Sequence, residues 1–245
     1  MRVFGTEILA SGATPCAVCG GRLHGAVFQF PDGRVWCVRH ASDPRCGGCT
    51  IPLSPVRRSS GLCAGCAGTA VRRSRDVVPV KEKLKRHMAQ HDIAVTTPTK
   101  IQLVESSAVM SGDPHVLGTT RWTRRAQYGV AGPITIQVLR GLPLAQFRHV
   151  MGHEFAHAAM VGSSGMVSLG PRLIEGFAEA LALVHLRLAQ DAGLNVIETS
   201  MLNNPDPIYG GGLRLVLPAV EQHGLLTVLE ALQLNRPRDV GLPRK

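Results

Sequence analysis

"FRHVMGHEFAHAAM", residues 147–160, decides how this chain is read, because it carries three histidines at one spacing and a single carboxylate. His149, His153 and His157 follow one another four residues apart, so on a helix they project one turn apart along one side. Residues 153–157 match H-E-x-x-H, in which two histidines grip one zinc ion and the glutamate takes a proton from water at the metal. His149 and His153 have the same spacing, but Val150 follows His149 and cannot act as a base. His153 and His157 are therefore the expected metal pair, Glu154 the expected general base, and His149 a bystander. Pro143 is expected to open the helix. Leu144, Phe147, Met151, Phe155 and Ala158 then form an apolar stripe at three- and four-residue steps, with His153 and His157 on the opposite side.

Downstream lies "GPRLIEGFAEALALVHL", residues 170–186, a second helix expected to start at Pro171, with Glu175 and Glu179 four apart on one face. Seventeen residues separate His157 from Glu175, enough for a loop and an antiparallel return. A solvated face does not explain two glutamates embedded among Leu, Ile, Phe and Ala. The segment resembles the N-E-G-F-A-E type sequence of the glutamate-zincin peptidases. That resemblance implies Glu175 as the third zinc ligand and Glu179 as the carboxylate that holds His153 from behind. Gly176 is expected to let Glu175 approach the first helix closely.

All seven cysteines fall between positions 16 and 66. They read Cys16-x2-Cys19, Cys37-x2-His40, Cys46-x2-Cys49 and Cys63-x2-Cys66, four pairs with a two-residue gap and therefore eight ligands for two closed tetrahedral zinc sites. A sequential assignment puts Cys16, Cys19, Cys37 and His40 on one ion and Cys46, Cys49, Cys63 and Cys66 on the other; a cross-braced assignment alternates the pairs. With few large apolar residues in this quarter of the chain, the metal is expected to supply much of its folding energy. Four protein ligands leave no open position, so the module reads as a platform rather than a catalyst.

At 245 residues and 44% hydrophobic residues the chain can bury one substantial core with a small satellite. No run approaches the ~18 consecutive apolar residues of a spanning helix, and Glu7 interrupts the start, so no membrane association and a soluble, cytoplasmic protein are expected. The net charge of +10 suits an acidic partner, but the basic residues lie in short scattered groups and aromatics make up only 4%, which argues against nucleic acid. Arg121, Arg124 and Arg125 are expected to favour acidic substrates. Pro79 reads as the first turn of a helix over residues 79–91, with His87 and His91 a solvated pair. "KIQLVES", "HVLGTTRWT" and "GPITIQVLRG" read as strands, and the pattern is helical from there to the end. The expected class is α+β. It comprises a zinc-binding module over 14–70, a basic linker and helix over 71–90, and a domain over 91–245 with a short, mainly antiparallel sheet plus helices.

Five stretches in order resemble one family. "CVRHASDPRCGGC" is similar to a LIM-type double zinc finger, with its mixed pair running Cys then His. "ITIQVLRGLP", the H-E-x-x-H helix, the Glu-Gly helix and "PIYGGGLRLVLPAVEQHGLLTVLEAL" are similar to the carboxy-terminal region of the plant organ-size-controlling, LIM-containing peptidases, the "DA one" family. The resemblance implies a LIM-like module followed by a minimal glutamate-zincin peptidase domain, with the sequential zinc assignment. It also implies one catalytic and two structural zinc ions and hydrolysis of peptide bonds in protein or peptide substrates. A protein partner would dock on the LIM-like module. The chain lacks the family's ubiquitin-interacting helices and carries Ala159 where an aromatic often stands. A donor to the developing oxyanion is also needed, and Tyr209 in "IYGGGLR" is the candidate, since Tyr128 precedes the catalytic helix; His223 is the runner-up. The strand "ITIQVLRG" is expected to offer an edge to an extended peptide. The alternative is a catalytically silent, zinc-dependent interaction module.

Overall fold

The computed structural model describes residues 6–29, 33–53, 61–105, 116–124, 130–161, 168–189 and 194–243. Arg125 and Tyr128, and the side chain of Arg124, lie outside them.

The amino-terminal part is a three-stranded antiparallel sheet in the order β1 (Thr6–Pro15), β2 (Arg22–Gln29), β3 (Val35–Cys37), so its first strand begins before the expected boundary at residue 14. Helix α1 (Ala64–Gly68) follows, with Cys63 and Cys66 packed against the core of this part. That buried core comprises Leu23, Val27, Trp36, Ile51 and Leu53 together with Cys16, Cys46 and Cys49. The Cys16–Cys19 and Cys46–Cys49 turns are built alike. The Gly20 amide donates to the Cys16 carbonyl and the Thr50 amide to the Cys46 carbonyl, at 2.8 and 2.9 Å. Each turn ends on a left-handed residue, Gly20 at φ 70° and Thr50 at φ 58°. Amides of Val18 and Cys37 point at the Cys16 sulfur, and those of Gly48 and Cys63 at the Cys46 sulfur.

Helix α2 (Ser74–Ala89) starts five residues before the expected Pro79, because the Asp76 carboxylate accepts from the Arg73 amide at 3.0 Å and caps the chain there. Pro79 then sits inside the helix, where the amide it lacks would have served the fourth carbonyl back. Val77, Val80, Leu84 and Met88 face the core. His87 and His91 are not a solvated pair: His87 Nδ1 lies 2.9 Å from Nδ1 of His185, a residue only 2% exposed. Burial pushes His87 down and holds His185 down to about 3, so the two share a neutral hydrogen bond.

The second sheet runs β4 (Thr99–Val104), β6 (Val130–Leu139), β5 (Gly118–Arg124). It is mixed rather than mainly antiparallel, since β4 pairs with β6 parallel and β5 pairs with β6 antiparallel. The apolar residues of β6 decide this: Ile134, Ile136 and Val138 are fully buried, so β6 takes the centre. The strand "ITIQVLRG" therefore has both edges paired and offers none to a peptide; the edge beside the helices belongs to β5.

Helices α3 (Leu144–Met160), α4 (Pro171–Ala189), α5 (Leu194–Leu202), α6 (Tyr209–His223) and α7 (Leu225–Gln233) complete the domain. Helix α3 is buried beyond its stripe, with Arg148, Gly152, Glu154 and Ala156 also enclosed. Gly152 faces Ala182 where α3 meets α4. Gly176 does not serve the approach to α3 as expected: an added Cβ there would meet the Gly212 backbone at 2.5 Å, so it lets α4 and α6 cross. Among the described residues no single helix is long and apolar enough to cross a membrane. The two parts touch where Gly48, between Cys46 and Cys49, packs on Pro143, the cap of α3. Val71 joins them by bonds to Leu142 and Gly141 at 2.9 and 2.7 Å.

Candidate metal centre

Helix α3 presents His153 and His157 one turn apart, and α4 brings Glu175 across from them. His153 Nε2 and His157 Nε2 are 3.0 Å apart, and Glu175 Oε2 lies 3.1 Å from the first and 3.4 Å from the second. Three ligands at ~2.0–2.1 Å from a tetrahedral zinc stand about 3.3 Å from one another, so the set fits. The Glu175 oxygen that faces the histidines is buried and, apart from the two imidazoles, has no polar partner, as an atom kept for a metal would be. Burial alone would lower His153, but Glu175 and Glu179 outweigh it and raise the imidazole to about 10. Against its own burial, Glu175 is held down to about 2 by His153 and His157. A metal entering here displaces a tightly held proton.

Glu179 is 7% exposed and splits its carboxylate. Oε1 lies 3.0 Å from His153 Nδ1, and Oε2 lies 2.9 Å from His149 Nε2. Burial would raise this carboxyl, but His149 and His153 hold it well below the usual range. The bond to His153 leaves its Nε2 free for the metal. His149 is thus no bystander. It binds the far oxygen of the carboxylate that orients the first ligand.

A cavity of about 610 Å³ opens over these groups, lined among others by Glu154, Thr120, Trp122 and Tyr209. Trp122 is 45% and Tyr209 42% exposed on its rim. The Tyr209 ring lies 6.1 Å from that of His153, and burial raises its phenol above the ordinary value. His223, the other oxyanion candidate, ends the same helix ~21 Å away along the axis and does not line the cavity.

The amino-terminal ligands gather into the two sequential sets, Cys16, Cys19, Cys37 and His40, and Cys46, Cys49, Cys63 and Cys66, each with its ligand atoms within 4.8 Å of one another. His40 Nδ1 lies 2.8 Å from Asp43 Oδ2, and its Nε2 is buried with no hydrogen-bond partner. That arrangement fixes the ring and leaves Nε2 for a metal; Asp43 was not expected from the sequence. In the second set hydrogen bonds among the thiols pull Cys46 down while pushing Cys66 up and Cys49 to about 11. Four sulfurs this close cannot all ionise without a cation, which is the chemistry of a zinc site. Both amino-terminal groups and the His153, His157 and Glu175 group can hold a metal ion, and zinc suits all three donor sets.

No protein-family model, curated protein or solved structure matches the chain.

Proposed function

We propose that the chain is a zinc-dependent peptidase of the glutamate-zincin kind, carried behind a LIM-like double zinc module and related to the "DA one" peptidases. The observation that carries this reading is the convergence of His153, His157 and Glu175 on one point, with Glu154 on the wall of the same cavity. Three protein ligands leave one position open, as catalysis requires and a closed structural site forbids. Zinc bound there supplies Lewis acidity, acidifying water and polarising a peptide carbonyl. Glu154 takes the proton from the attacking water and returns it to the leaving amine. Glu179 fixes the tautomer of His153, and Tyr209, on the rim of the same cavity, would donate to the developing oxyanion. Backbone recognition of an extended peptide falls to β5, the edge strand that lines the cavity. The LIM-like module docks a protein substrate or partner. Cytoplasmic work suits free cysteines throughout the described module.

Casein cleavage by the zinc-loaded chain and by Glu154→Gln tests the reading. The expected result is cleavage by wild type alone with equal zinc in both; equal activity sinks the assignment. A zinc-loaded wild type that cleaves no protein favours the second reading, a silent interaction module.

A further inference from the structure

We propose that Thr120 is the positioning residue of the general base, holding the Glu154 carboxylate from the neighbouring edge strand. The inference rests on the peptidase reading above. Thr120 Oγ1 lies 2.7 Å from Glu154 Oε2 and 3.0 Å from the Glu154 carbonyl oxygen. Glu154 is 5% exposed, and among the described residues Thr120 is the one hydrogen-bond donor to its carboxylate. A buried carboxylate with a single donor takes its orientation from that donor.

The strand is shaped for this contact. Gly118 and Thr120 are two apart in β5 and so share one face of the sheet. A side chain at 118 would collide with Val150, and its Cβ would come within 2.8 Å of Glu154 Oε1. The bare glycine therefore admits the strand to the helix, and the hydroxyl two residues on fixes the base. A hydroxyl both donates and accepts, and its second neighbour is a carbonyl. Thr120 can thus keep hold of the Glu154 side chain before and after that side chain takes up a proton.

A threonine that only ties β5 to α3 would affect folding and zinc content, whereas a positioning residue affects turnover at full zinc. The test compares Thr120→Val and Thr120→Ser with wild type and Glu154→Gln, all as the full, zinc-loaded chain. It measures zinc content, kcat and KM on casein, and the Kd of acetohydroxamate, a probe that chelates zinc and hydrogen-bonds to the base without turnover. Thr120→Val is expected to lower kcat by about 10- to 100-fold with KM and zinc content near wild type, and to weaken acetohydroxamate by about tenfold. Thr120→Ser should stay within about threefold of wild type on both, since it keeps the hydroxyl. Wild-type kcat in Thr120→Val beside an inactive Glu154→Gln overturns the proposal and leaves the peptidase reading standing. Equal damage in the serine and valine variants at full zinc also overturns it. Should valine unfold the strand, Thr120→Ala removes the same hydroxyl with less bulk and is judged by the same criteria. Full cleavage by Glu154→Gln overturns the peptidase reading itself.

Discussion

The amino-terminal module and the helical domain both gather metal ligands, but they stand in opposite relation to them. In the module, Cys16, Cys46 and Cys49 are part of the buried core, beside only a few aliphatic residues and Trp36. In the helical domain the core runs from Val71 to Leu242 without the metal ligands, which line a cavity on its flank. Under the proposed function, the first region would need its metal to fold and the second would need its metal only to react.

The largest effect should come from stripping the structural ions, since a zinc of this kind contributes about 10 kcal/mol of folding free energy. The two tryptophans separate the regions: Trp36 is fully buried in the module and Trp122 is 45% exposed on the cavity rim. Chelation, or Cys63→Ser, should shift Trp36 emission to the red while the helical circular dichroism of α3 to α7 persists. Loss of helix in step with Trp36 would break the contrast. Coupling through Gly48 and Pro143 would then be far stronger than contact alone suggests.

Next is the carboxylate that bridges His149 and His153. Glu179→Ala should weaken zinc at the His153 site by about 10- to 100-fold, and His149→Ala by less, with the cysteine sites unchanged. Chelator competition on the full chain measures both.

Acid should sharpen the picture of the helical core. His185 has a folded value of about 3 against an ordinary 6.5, so its stabilising contribution is complete above pH 6.5. It declines as pH falls, because the unfolded chain takes up the proton first, and it is gone once the folded value of about 3 is passed. Between pH 6.5 and 4.5 the loss should be about 2 kcal/mol, above the range where Glu175 titrates. Thermal melts of wild type and His185→Leu across that window should show the steeper slope in wild type; identical slopes would remove the buried His87–His185 pair as a source.

The smallest effect concerns a knuckle. Thr50 holds φ 58° with its hydroxyl buried and without a partner, where the matching turn has Gly20. Thr50→Gly should stabilise the zinc-loaded module by about 0.5–1 kcal/mol, read as a rise in the Trp36 unfolding midpoint.

Much of this was legible in the sequence because it is local. Two histidines on successive turns, four ligand pairs at a fixed gap, and helices opened at Pro143 and Pro171 need no knowledge of the rest of the chain. What escaped depends on contacts between distant residues. Thr120 and Glu154 are 34 apart, and His149 and Glu179 are 30 apart. The parallel pairing of β4 with β6 was hidden because strands pair by burial, and only the folded core shows that β6 lies at the centre. The role of Gly176 was misjudged because close approach has a direction, and α6 rather than α3 lies on that side. Asp43 escaped because an aspartate in a turn looks the same whether it caps the backbone or steadies a ligand.

The central claim is that a third, open metal site sits on α3 and α4 apart from the two closed ones. The most direct test is the zinc content of the dialysed full chain and of the double variant His153→Ala, His157→Ala. Three ligand groups predict three ions in wild type and two in the variant, with Trp36 emission unchanged. Two ions in wild type, or no difference between the proteins, would contradict it.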